Sequence, residues 1–518
     1  MPAKDTRRYI IMSNEGFLSD SLRANELAPS ANTINVMARA AAVAPAPKMQ
    51  VLDSLHENGP KLVEMSTEAE LSLRLSKPGL KIVPEVFYHR QWERFKIHER
   101  PTTAARRAVP KPARKMKVAK AAAAPSSVTV TVTDASGGAP IKGAQIVAFT
   151  DFAARQGASG TTDANGRATL LGLSSNRKLE RVYVYAPAGF WGFYSENITA
   201  SNVSQIKLTK IDVRAASLLL NQLYGSLPEN AGAGVTVGVI DSGVDGKHPD
   251  LTNVSGGLNC VSDEVRGNPA AAQNWGPAKK EGEHGTHVAG IVGGRGTANG
   301  FRGVAPGVTL RSYRVFPDRG GGASNFDIAK AIDTAIADKC DIINMSLGGG
   351  PKDDLTRAAI IRALNSGTIV VVAAGNDDRH PVSFPAAFTE CTAVSAMGRV
   401  GSFPKTAIGT SSVATPKGSP LTKDFVADFS NFGPEIDVTG AGVEIVSTLP
   451  GTGHGSMSGT SMACPAVAGF AAFLLAADPA LKQKVGADRS RALKDALYAS
   501  CKPEGFGRDF EGFGLPLP

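Results

Sequence analysis

Residues 235–251 read VTVGVIDSGVDGKHPDL. The opening VTVGVI is apolar on successive positions and rich in β-branched residues, the mark of a strand buried on both faces of a parallel sheet. It stops at Asp241, before Ser242 and Gly243, so a carboxylate stands at the carboxyl end of a buried strand, where such sheets hold their ligands. The runs TLRSYRV (309–315), CDIINMS (340–346) and TIVVVAA (368–374) repeat the pattern, and residues 325–339 have the spacing of a crossover helix. A doubly wound parallel α/β sheet over 211–518 follows.

Two further motifs lie downstream, HGTHVAG at 284–290 and GTSMACPAVAG at 459–469. With Asp241 they supply a carboxylate, an imidazole and a hydroxyl, each beside a turn. A serine hydroxyl is a weak nucleophile until an imidazole takes its proton, and the imidazole needs a carboxylate to hold its tautomer. His287 reads as a packed helix residue, and His248 with Asp250 as turn residues. Cys464, three residues past the serine on an apolar helix, reads as core.

These motifs, together with Gly375-Asn376 after the buried 368–374 strand, resemble those of the subtilisin-like serine proteases over residues 232–518. The resemblance implies hydrolysis of polypeptide substrates through an acyl-enzyme, with Asp241 orienting His284, His284 as base and Ser461 as nucleophile. Asn376 would donate its amide to the oxyanion. Substrate would lie as an added strand along Gly320, Gly321 and Gly322 on one side and Ser346, Leu347 and Gly348 on the other. The primary pocket would lie between the second of these and Ala373, Ala374 and Gly375, with Ser383 near its floor and Asp377 admitting a basic side chain. The family needs no cofactor for its chemistry, and the resemblance allows a structural calcium at Asp250 with the 294–301 loop, where Thr297 replaces a usual amide. Relatives with a Glu-Asp-Ser set share the serine motif, and His284 excludes them.

Residues 1–99 follow a β-α-β-β-α-β order: strands at 9–12, 49–55 and 61–65, a helix opened by Thr67 and Glu70, and a β-rich run at 80–88. This resembles the ferredoxin-like propeptides of the same family. It implies a self-processed zymogen in which the chain's own N-terminal segment is the inhibitor, laying residues 83–88 into the cleft, with a first cut between 88 and 125 that leaves residues 126–210 on the enzyme, or instead before Ile211, which releases them. Residues 100–125 form a basic linker holding eight of the charges behind the net +9 and no acid. Without interleaved aromatic residues it reads as solvated chain, so no nucleic-acid partner is expected. Residues 126–210, with Val and Thr alternating from 128 to 133, read as a β-sandwich of carboxypeptidase-regulatory or immunoglobulin-like type. A latent protease domain acting as a scaffold through that sandwich is the second reading. Five cysteines without CxxC spacing make no disulfide framework. No signal-peptide core and no bilayer-length apolar stretch is apparent, which makes the cytoplasm the default location, with unconventional export as the other route.

Overall fold

A computed structural model describes residues 6–13, 49–97, 126–297 and 300–518. The basic linker and the first predicted helix lie outside the described residues. The N-terminal strands are β1 (Thr6–Ser13), β2 (Met49–Ser54), β3 (Lys61–Ser66) and β4 (Leu80–Pro84), with helix α1 (Thr67–Ser76) between the last two. They form an antiparallel sheet in the order β2-β3-β1-β4. The helix is capped by Ser66, whose hydroxyl accepts the Ala69 N–H at 3.3 Å, one residue before the expected capping position. Alternation sends Tyr9, Ile11, Val63 and Met65 toward α1, and Ile10, Leu52 and Leu62 into the core of the domain that follows. The run expected as one strand over 80–88 is broken at Glu85-Val86, and β5 (Phe87–Arg90) belongs to a different sheet.

Two packed sheets come next. β6 (Ser127–Asp134), β9 (Arg167–Leu171) and β12 (Gln205–Leu208) make one; β7 (Gln145–Asp151), β8 (Gln156–Thr161), β10 (Lys178–Tyr185) and β11 (Phe193–Thr199) make the other. Val128, Val130 and Val132 of β6 meet Ile146, Ala148, Val182 and Val184 in a shared core, as period-two alternation requires. The sheet containing β7 leaves a second, aromatic face outside this core, built from Phe149, Tyr183 and Tyr185.

The remaining chain is a doubly wound α/β domain. β13 (Thr236–Asp241), β14 (Val254–Asn259), β15 (Thr309–Arg314), β17 (Ile342–Met345), β19 (Ile369–Ala373), β20 (Thr392–Arg399) and β23 (Val438–Ala441) pair in parallel, with the antiparallel β21 (Val413–Lys417) and β22 (Asp424–Ala427) at one edge and the short β16 (Ala323–Ser324) and β18 (Leu347–Gly348) outside this sheet. The alternation inside β19 assigns Ile369 and Val371 to one face and Val370 and Val372 to the other. Helices α2 (Glu283–Gly293) and α5 (Thr460–Ala477) cover the first face; α3 (Asn325–Ala337) and α4 (Asp354–Ser366) cover the second. Contrary to the sequence reading, one stretch does reach bilayer length: α5 has 18 residues at a mean hydropathy of 1.7. Most of it is buried here as the central helix of the core.

The N-terminal sheet sits on α3 and α4. Ile10 and Leu62 join a core containing Phe326 and Ile360, while Arg8 pairs with Asp263 at 2.8 Å and Lys330 with Asp53 at 2.9 Å. Removing the buried Ile10 side chain should weaken that attachment by about 2–5 kcal/mol. The expected result for Ile10→Ala is faster hydrogen exchange at the β5 amides with exchange in β13 and β19 unchanged.

Candidate active site

Asp241 ends β13, His284 is the second residue of α2, and Ser461 the second residue of α5; all three are essentially buried. His284 Nδ1 lies 2.8 and 2.9 Å from the two carboxylate oxygens of Asp241. Asp241 Oδ1 also accepts the Ser242 N–H at 2.6 Å. The helix can approach this closely because residue 285 is glycine: a Cβ there would come 2.4 Å from the Gly243 carbonyl oxygen. His284 Nε2, the nitrogen that would act as base, is buried with no hydrogen-bond partner among the described residues.

The Ser461 hydroxyl donates at 3.1 Å to the Ser346 carbonyl rather than to that nitrogen. Pro465 shapes this corner. It has no N–H for the Ser461 carbonyl four residues earlier, and that carbonyl instead accepts the Ser346 hydroxyl at 2.9 Å. Cys464 donates to Asn344 at 3.1 Å, and burial pushes its thiol well above the usual range, so it is no thiolate. His287 is bound to the Gly455 carbonyl at 3.1 Å, and burial lowers it to about 3, which leaves it neutral.

Asn376 follows Gly375, whose φ of +119° turns the chain sharply after β19. Its Oδ1 accepts the Thr460 N–H at 2.9 Å and the Thr460 hydroxyl at 2.8 Å. The amide is thereby fixed with Nδ2 buried and without a partner among the described residues, a donor held for a ligand oxygen.

The chain's own backbone fills the cleft. β5 pairs antiparallel with Ala323–Ser324 on one side and Leu347–Gly348 on the other, making a three-stranded sheet. The Gln91 N–H points to the Ser346 carbonyl at 3.4 Å, and the Gln91 carbonyl accepts the Ser461 N–H at 2.9 Å. Gly459 makes room, since a Cβ there would stand 2.4 Å from that carbonyl oxygen. Trp92 follows on the far side of the serine, its ring edge-on to His284 with centroids 5.4 Å apart.

Several sequence expectations shift. The strand in the cleft is residues 87–91, not 83–88, because β4 is held in the N-terminal sheet by β1. One wall is Ala323–Ser324 rather than Gly320 and Gly321, which form a turn at φ of +82° and +105°; Gly322 does touch the strand, a Cβ there coming 2.9 Å from Phe87. Leu347 and Gly348 pair with the strand, and the Ser346 carbonyl lies 3.4 Å from the Gln91 nitrogen. Ser383 donates to the Ala374 carbonyl at 3.1 Å and stands by Gly348 and Gly375, but Ala373 packs into the main core. Asp377 is exposed and accepts the Asn431 amide on one carboxylate oxygen at 2.9 Å. Asp250 gives its carboxylate to His454 at 3.0 Å, while the Thr297 hydroxyl donates to the Pro249 carbonyl at 2.9 Å. Among the described residues no group of three His, Cys, Asp or Glu could hold a metal ion. Residues 298–299 of the candidate loop lie outside the described residues, and no step depends on a metal ion.

Sequence reasoning missed the pocket for Tyr88. This ring is fully buried, with its hydroxyl hydrogen-bonded to the carboxylate of Asp353 and 3.0 Å from the Pro351 carbonyl oxygen. Asp353 carries only a helix-cap signal in sequence, and it does cap α4 by accepting the Thr356 N–H at 2.8 Å.

The subtilase family profile matches residues 232–514. Subtilisin NAT of Bacillus subtilis subsp. natto is 36% identical over 252 residues, 48% of this chain and 57% of that protein. Subtilisin of Bacillus pumilus is 36% identical over 270 residues, 52% of this chain and 86% of its own. The major intracellular serine protease of Bacillus subtilis (strain 168) is 35% identical over 249 residues, 47% and 69%. The chain thus spans little more than half the length of the first of these relatives. Removing the free amide with Asn376→Leu should cost about 2.7–4 kcal/mol in kcat with KM little changed, the magnitude known for the corresponding side chain of subtilisin itself. Steady-state kinetics on a chromogenic peptide reads it. Gly285→Ala should lower kcat by displacing His284 from Asp241. Given the profile match across more than half its length, this chain belongs to the subtilase family of serine endopeptidases.

Proposed function

We propose that the protein is a serine endopeptidase made as a zymogen that cuts itself between Gln91 and Trp92. The observation that carries this is the Gln91 carbonyl, 2.9 Å from the Ser461 N–H with the chain continuing uncut beyond it. In this reading the sheet of β1 to β4 with α1 belongs to a ferredoxin-like inhibitor domain, which the strand order β2-β3-β1-β4 supports, and β5 is its substrate-like tail.

The chemistry needs one rotation, carrying the Ser461 hydroxyl from the Ser346 carbonyl toward His284 Nε2. Oγ then attacks the Gln91 carbonyl carbon as His284 takes its proton, and Asp241 holds the imidazolium. The oxyanion receives the Ser461 N–H and the unpartnered Asn376 Nδ2. His284 returns the proton to the Trp92 nitrogen, the peptide bond breaks, and a water hydrolyses the acyl-enzyme to leave a Gln91 carboxylate. Other polypeptides would take the same path, lying between Ala323–Ser324 and Leu347–Gly348. Because that sheet uses backbone groups, sequence demands fall on a few pockets, notably the one filled by Tyr88.

Purified wild-type protein should accumulate a fragment whose N-terminal sequence begins at Trp92, and Ser461→Ala should remain whole. A first cut elsewhere, with Gln91-Trp92 intact, would refute the site.

Glu93 adds a pH dependence. Burial, with Asp428 and Asp378 facing it, raises its carboxyl to about 8 against the pull of the Ser412 hydroxyl and Arg181. A released segment would titrate near about 4.3. The docked form therefore holds a proton that the released form does not, and attachment weakens as pH rises from about 4.3 to about 8. In Ser461→Ala protein the thermal midpoint should fall across this window, and adding Glu93→Gln should flatten the fall and raise the midpoint at pH 8.

A further inference from the structure

We propose that the β-sandwich forms the wall of the substrate cleft beyond the scissile bond, with a site for an aromatic side chain at the fourth residue past the cut. The inference rests on the proteolytic reading, in which Gln91 precedes the cut and Trp92, Glu93, Arg94 and Phe95 are the first four residues after it. The chain's own segment is the occupant seen in place, and an extended polypeptide substrate is the occupant it stands in for.

The segment leaves the catalytic domain in steps. The Glu93 N–H still donates to the Ser458 carbonyl at 2.8 Å. Arg94 bridges, one nitrogen 3.0 Å from Glu283 on α2 and the other 2.8 Å from Gln145 on β7. Phe95 lies on the sandwich. Its N–H donates to the Tyr185 hydroxyl at 2.7 Å, and its ring meets Tyr183 at 4.8 Å and Phe152 at 5.0 Å between centroids. The Arg155 guanidinium covers the same ring at 4.7 Å and Phe152 at 4.1 Å. Arg155 is held there at a φ of +52°, a conformation uncommon for a residue with a side chain. Aromatic rings set edge-on and tilted under a guanidinium select a further aromatic ring by edge and cation–π contacts.

Three observations make this a substrate site and not only a clasp for the uncut chain. The sandwich lies after Gln91 in sequence, so the proposed cut leaves it on the enzyme. It is fastened to the catalytic domain independently of residues 92–97: Trp191 and Leu218 pack with Ala407 and Val446, and the Tyr194 N–H donates to the Thr406 carbonyl at 2.8 Å. A cavity of about 410 Å³ also lies between the sandwich and the catalytic domain alongside Trp92 and Arg94, walled by Tyr185, Phe190 and Met457. It gives the side chains nearest the cut room to vary while the fourth is recognised.

The test uses the processed enzyme and two peptides identical except for Phe or Ala at the fourth position after the cut. A peptidyl p-nitroanilide, which ends at the cut, is the reference to which each rate is normalised. The Phe peptide should show a kcat/KM about tenfold above its Ala twin, a factor in the range of one well-made aromatic contact. Phe152→Ala and Arg155→Gln, tested separately in case either misfolds, should bring that ratio to within about twofold of one. Phe95→Ala, which empties the site of its tethered occupant, should make the Phe peptide's advantage larger. A ratio near one in both wild type and Phe95→Ala overturns the inference, as does a tenfold ratio that persists in folded Phe152→Ala and Arg155→Gln. No turnover of the p-nitroanilide would instead overturn the proteolytic reading beneath it.

Discussion

One hydrogen bond organises this face of the molecule: the Ser461 N–H given to the Gln91 carbonyl at 2.9 Å. A buried N–H needs a partner, and a carbonyl can reach this one only because Gly459 offers no side chain. The placement of that single oxygen sets the register of β5 between its two flanking strands, the burial of Tyr88 three residues before it, and the position of Trp92 against His284. The N-terminal sheet precedes this segment and the sheet containing β7 receives Phe95 after it, so the central contact is fixed from both sides.

The corner around Ser461 is built so that polar groups left free by the fold are those the chemistry needs. Asn376 is anchored through its oxygen to Thr460 and left with a free nitrogen, and His284 is anchored through Nδ1 to Asp241 and left with a free Nε2. Unpartnered buried polar atoms destabilise a fold, and two of those found among the described residues, His284 Nε2 and Asn376 Nδ2, stand at this corner. The serine hydroxyl, turned to the Ser346 carbonyl, is the one element not yet aligned.

The positions of Asp241, His284 and Ser461 were legible in sequence because each lies in a short motif whose glycines and apolar neighbours dictate local geometry. The parallel strands were legible for the same reason, as continuous β-branched runs. The register of the cleft strand was not. Residues 80–88 look uniformly β-rich, and only the competition of β1 for β4 breaks the run at Glu85-Val86. Asp353 and Phe152 were equally hidden, since a helix cap and a turn residue acquire their second roles from chain that folds onto them from 265 and 57 positions away, respectively, at Tyr88 and Phe95. Likewise α5 reads by composition as a span and by packing as the core.

The most direct test of the account is intact-mass spectrometry of freshly made protein during reaction with a fluorophosphonate, which labels a serine only when it is nucleophilic and open. The account predicts that label enters at Ser461, in molecules whose chain is already broken at Gln91-Trp92, while unbroken chains stay unlabelled. Labelling of unbroken chains at the same rate, or label on any other residue, would contradict it.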